Sequence, residues 1–171
     1  MPSFANSAQN PEFRVINGSY KVNNIVINEN LKINGEAVLV DTHVNNTMIV
    51  NGKLVADHVN FESNLSSNGT IIISHAILKE YTYFSGEISS NNCHYLKNLY
   101  IRSKNTSFSQ SQFNNIVIQK IPYIKSAQQI RLHNKSLVSG DITFESGNGE
   151  VYLDNSSKIM GQVYGGKTIY I

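Results

Sequence analysis

The chain has 171 residues, of which 40% are hydrophobic and only 15% charged, with a formal net charge of +2 and three prolines. This length suits one domain, and the hydrophobic content argues against disorder. The charge is too small to point to nucleic acid, and the lysines are scattered rather than gathered into a stripe or interleaved with aromatics.

No apolar run approaches the roughly 18 residues that a membrane-crossing helix needs. The opening stretch from Met1 to Asn10 has neither the basic region nor the apolar core of a signal peptide. The expectation is a cytoplasmic protein as the chain stands, or an exported one if a leader has been removed. Residues 1–12 are polar and unpatterned and are expected to form a flexible N-terminal segment, leaving 13–171 as a single domain.

From residue 16 onward the chain repeats. Asn17-Gly18, Asn34-Gly35, Asn51-Gly52, Asn68-Gly69 and Ser85-Gly86 follow one another at a constant interval, each seventeen positions after the last. Each is flanked as apolar, turn, Gly, polar, apolar, from Ile16 to Tyr20 in the first copy to Phe84 to Ile88 in the fifth. The unit returns at Val138 to Ile142 and again, twenty-one positions later, at Ile159 to Val163, with Ser136 and Ser157 also in register. A fixed short period of this kind is the mark of stacked coils. Asn-Gly is also the strongest hairpin signal, but hairpins would turn after every strand and give no reason for a constant interval of this length.

The expected fold is therefore all-β: a single-stranded parallel β-helix, or β-solenoid, with about 17 residues per coil and coils about 4.8 Å apart. Right-handed winding follows the general preference of parallel crossovers. Alternation predicts three inward columns per coil, giving a roughly triangular section. One holds Leu31, Ile33, Met48, Val50, Leu99, Ile101, Ile116 and Ile118; the second Val22, Ala37, Leu39, Leu54, Ala56, Ile71 and Ile73; the third Ile25, Ile27, Val44, Val59, Phe61, Ala76, Leu78, Cys93 and Tyr95. The lone Cys93 reads as a small core residue.

The period breaks between about residues 103 and 135, where the polar run Ser103 to Phe113 and Pro122 predict a distorted coil with an external loop. Tyr95, Tyr100, Phe108, Phe113 and Tyr123 surround this break. Of these, Phe108, Phe113 and Tyr123 are the candidates for a protein or glycan partner, since exposed aromatics favour interfaces. The final stretch, Tyr164 to Ile171, alternates like a strand and carries no polar cap. Ile169, Tyr170 and Ile171 are thus the candidate surface for self-association, end to end or in pairs.

One column resembles a chemical site. Asp41, His58, His75 and Asn92 recur at the same interval as the glycine bends, which would stack them at one corner, with Asp57 beside His58. Imidazoles so placed can share a metal or a carboxylate, and Asp41, His58 and His75 are the candidate ligands; polar corner residues are the alternative. No cofactor is expected. The chain has no nucleophile elbow, phosphate-binding glycine loop, HExxH or CxxC, and no long loops to line a catalytic groove, so an enzyme is not expected.

The repeated apolar-x-Gly-x-apolar units, ending in Leu137 to Phe144 and Lys158 to Gly165, resemble those of the bactofilins, bacterial polymer-forming cytoskeletal proteins. Similar units occur in β-solenoid adhesins. The resemblance implies a right-handed triangular β-helix that polymerises without nucleotide. The expected function is that of a structural scaffold acting through self-association, with an adhesin-like or effector-like binding module as the alternative.

Overall fold

The structure, a computed structural model, describes residues 11–171. The expected flexible segment at 1–12 therefore lies, apart from its last two residues, outside the described residues. Among those residues every regular element is a strand, and every strand pair is parallel. The chain winds as a β-solenoid of about nine turns.

The winding can be followed along one column. Arg14 pairs with Leu31, and the column continues through Met48, Leu65, Thr82, Leu99 and Ile116, every step being seventeen positions. The next steps are longer, twenty-six positions to Ile142 and twenty-one to Val163. The wider coil absorbs the expected irregularity, and more locally than the sequence suggested. Thr106 and Phe108 keep strand register with the coils on both sides, as do Gln112 and Phe113. Most of the added length lies in residues 120–127, which leave the stack after the Gln119 N–H bonds the Ile101 carbonyl; single residues are added at the next two corners. The 120–127 loop is tied back by the Gln128 side-chain amide, which donates to the carbonyls of Ser103 and Gln119 at 3.0 Å each.

Each regular coil buries three pairs of alternate side chains. In the strand Leu31–Val44 these are Leu31 and Ile33, Ala37 and Leu39, and Thr42 and Val44; in Met48–Phe61 they are Met48 and Val50, Leu54 and Ala56, and Val59 and Phe61. The three predicted columns are thus the core, except in the first coil, where Ile25 is exposed and Val22 only half-buried. Parallel ladders satisfy the backbone, and matching apolar side chains stack within each column.

Two backbone devices turn the sides into one another. At the Asn-Gly and Ser-Gly bends Gly35, Gly52, Gly69 and Gly86 have φ between +117° and +146°. A Cβ on any of them would overlap the carbonyl oxygen of the glycine one coil earlier. At the other bend Asn24, Asp41, His58, His75 and Asn92 all adopt φ between +47° and +54°. This left-handed conformation is one that Asn, Asp and His accept more readily than most side chains.

Polar ladders run outside and inside the stack. The Asn34 side-chain amide donates to the Asn17 side-chain carbonyl at 2.9 Å, and Asn51 donates to Asn34 at 3.0 Å. Within the wall, Ser111, Ser136 and Ser157 continue the column of Cys93. The backbone N–H of Cys93 donates to Ser111 Oγ, that of Ser111 to Ser136 Oγ and that of Ser136 to Ser157 Oγ. These hydroxyls accept backbone donors that Val59 and Ala76, earlier in the same column, have no side-chain group to meet.

Candidate functional site

The corner column of Asn24, Asp41, His58, His75 and Asn92 supplies the most concentrated chemistry among the described residues. Because each of these residues takes the same left-handed backbone conformation one coil after the last, His58 and His75 leave the wall in the same direction. Their rings stack with centroids 4.4 Å apart and planes within 13°. The residue before the corner points outward from the strand, so Asp57 and Ser74 form a neighbouring column in direct register.

The two columns meet at one carboxylate. Asp57 Oδ2 lies 3.1 Å from His58 Nδ1, and Oδ1 lies 2.9 Å from His75 Nδ1. Ser74 Oγ donates to Oδ1 at 2.6 Å. The Ser74 hydroxyl and then the His75 ring hold the Asp57 carboxyl down to about 2, so it is an anion throughout the neutral range. Asp57 is half-buried, and both imidazoles stay exposed.

The predicted ladder of Asp41, His58 and His75 is therefore corrected in one member. Asp41 occupies its place in the column, one coil before His58, but the ligand-bearing atoms that cluster within 4.8 Å are those of Asp57, His58 and His75. The reason is directional. A corner side chain stacks over its equivalent in the next coil, whereas the strand residue just before the corner aims across both rings. Ser74 has no signal of its own in the sequence, but it stands one full repeat after Asp57 and could have been found by register.

His43 belongs to a different outward column and approaches Glu62 Oε1 at 3.2 Å, while Lys79 pairs with Glu62 at 2.8 Å. These pairs join successive coils on exposed wall and gain little each.

The aromatic candidates divide. Phe108 and Phe113 are buried and cannot present a surface to a partner. They pack with Tyr95, which stacks on Phe113 at 4.9 Å and meets Phe108 edge-on at 6.3 Å. The Tyr95 hydroxyl is within 2.8 Å of Ser90 Oγ, so its polar end is satisfied inside the core. Tyr123, by contrast, stands fully exposed at the tip of the 120–127 loop. Tyr100, also named at the break, points outward and stacks at 4.9 Å on Tyr83, which the sequence did not single out, with Tyr81 alongside.

A shallow groove of about 580 Å³ opens where the outward column steps from Ile72 to the small Ser89 and Ser107 and then to Arg131. Glu87, Lys104, Gln129 and Arg131 are among the residues that line it.

At the C-terminal end of the described chain, the strand Gly166–Tyr170 pairs only with Gly149–Leu153. The backbone N–H of Gly149 donates to the carbonyl of Gly165, and that of Ile171 to the carbonyl of Leu153, each at 3.0 Å. Parallel pairing then directs the amides of Lys167, Ile169 and Ile171 to the neighbour and those of Gly166, Thr168 and Tyr170 away from it. Ile159 and Val163 pack only partly against the core beside this edge, and Tyr170 and Ile171 are exposed. No helix among the described residues is long and apolar enough to cross a membrane. Comparison of the chain with protein-family models, with curated proteins and with solved structures found no match.

Proposed function

We propose that this chain is a non-enzymatic structural module that works by associating with further copies of itself, in the manner implied by its resemblance to the bactofilins. The carrying observation is the strand Gly166–Tyr170, bonded along one edge to the coil before it and, among the described residues, to nothing along the other. Free strand edges template further pairing, and here the edge lies beside partly packed Ile159 and Val163, whose burial a partner coil would complete. Ile169, Tyr170 and Ile171 are the residues assigned to this contact.

Sedimentation velocity over a hundredfold range of concentration, with electron microscopy of the same samples, tests the reading. Growth into rods or closed pairs is the expected result, abolished by Thr168→Pro, which removes an outward N–H without touching the bonds to Gly149–Leu153. A wild-type chain that remains a monomer throughout would refute it.

A second reading, recognition of a protein or glycan by one wall, is favoured by the groove between Glu87 and Arg131 and by the exposed Tyr81, Tyr83 and Tyr123. Saturable binding of a ligand that is lost on Arg131→Ala, in a chain that stays monomeric, would support this reading over the first.

A further inference from the structure

We propose that Asp57, His58 and His75 bind a divalent transition ion of the zinc and copper class, and that the ion staples the coil of residues 48–64 to that of residues 65–81. The ligand atoms of two imidazoles and one carboxylate already lie within 4.8 Å of one another, and the stacked rings have to tilt for both nitrogens to point at one ion. Zinc bonds of about 2.0–2.1 Å in a tetrahedron require ligand atoms about 3.4 Å apart, so the widest separation has to close by on the order of 1.4 Å. Rotation of exposed side chains covers that distance without moving the wall.

The donor set selects the ion. Imidazole with a single carboxylate suits zinc and copper, whereas calcium and magnesium take oxygen ligands in larger number. Ser74 supplies the supporting contact, since its hydroxyl fixes Asp57 Oδ1 and leaves Oδ2 to turn toward the ion. Where Nδ1 is the ligand atom the ring proton has to sit on Nε2. Three protein ligands on an open corner leave further positions to solvent, and binding should be reversible.

The backbone prepares the pair. His58 and His75 have φ of +54° and +50°, in a corner where Asn24 and Asn92 take +54° and +53°. Asparagine is therefore the substitution that this conformation tolerates while removing the imidazole. The test uses the full chain without a polyhistidine tag, titrated with zinc chloride by calorimetry and with copper(II) by electron paramagnetic resonance.

The expected results are one ion per chain, hyperfine splitting from two nitrogens, and at least a tenfold loss of affinity in His58→Asn and in His75→Asn. Ser74→Ala should weaken binding about tenfold. Free zinc at 100 times its dissociation constant should raise the melting temperature by about 5–10 °C in the wild type only. Absence of saturable binding, or affinity unchanged in both histidine variants that melt like the wild type, would overturn the proposal.

Discussion

Gly52→Ala is the substitution that most directly probes how tightly the coils are stacked. Two costs add at this position. The backbone has φ +136°, a region L side chains rarely adopt, at about 1–3 kcal/mol. The new methyl would also overlap the Gly35 carbonyl oxygen, a backbone atom held in the ladder, so relief requires neighbouring coils to part by on the order of 1 Å, at about 1–3 kcal/mol. The sum is about 2–6 kcal/mol, a fall in melting temperature of about 5–20 °C. Gly18→Ala provides the control. It has φ +113°, but nothing lies within 4 Å of its added Cβ, so only the first cost applies. Thermal and urea unfolding of the two variants should therefore differ by about 1–3 kcal/mol in favour of Gly18→Ala. Equal destabilisation would refute the claim that contact between successive glycine bends constrains the stack.

Phe108→Ala should cost about 3–5 kcal/mol in denaturant unfolding, because the ring is fully buried against Tyr95 and Phe113; a loss below about 1 kcal/mol would mean the loop-bearing half has no packed core. Ser67 places a buried hydroxyl with no partner in the column of Val50 and Phe84, so Ser67→Ala should be neutral or stabilising by up to about 1 kcal/mol, and clear destabilisation would reveal a bond the geometry lacks. Asp154 accepts the backbone N–H groups of Asn134, Ser157 and Ser156, of which the Asn134 bond is the strongest influence, and its pKa sits well below the usual carboxylate range. A depressed folded-state value means the contribution is complete above the unfolded value of about 3.9 and fades as the pH falls toward the folded one. Wild-type stability should thus slope downward below about pH 4, and Asp154→Asn should lose stability at neutral pH and show a flatter acid limb; parallel profiles would count against the assignment.

The architecture was legible because stacked coils repeat their demands at a constant interval, so Leu31, Met48 and Leu65 announce one another without any knowledge of the fold. The run from 103 to 113 read as irregular for a reason that the structure makes plain. Its inward positions include Thr106 and Ser111, the second of which bonds the wall through its hydroxyl, and these polar members hide the alternation that Phe108 and Phe113 continue. The corner site was half legible. Periodicity aligned Asp41, His58 and His75, yet a column shared by sequence is a column of equal backbone conformation, and the carboxylate that meets the rings came from the adjacent column. Tyr83 was missed because it occupies an outward column that Lys32, Ile49 and Ser66 leave without a common character.

The asparagine ladder at the glycine bends bears on the chemical lifetime of the chain. Asn-Gly is the dipeptide in which the following backbone nitrogen most easily attacks the side-chain amide, closing a succinimide that reopens mainly as isoaspartate. Asn34 is held at both ends of its amide, by Asn17 and by Asn51, and the glycine nitrogen after it lies within a continuous strand, so the attacking geometry is denied while the coils remain stacked. Asn17 and Asn51 are each held by one such bond and the Asn68 side chain by none among the described residues, which makes Asn68 the place where ageing would begin. An isoaspartate there would lengthen the main chain by one methylene and shift every inward side chain beyond it, so in this protein slow deamidation would act as a register error.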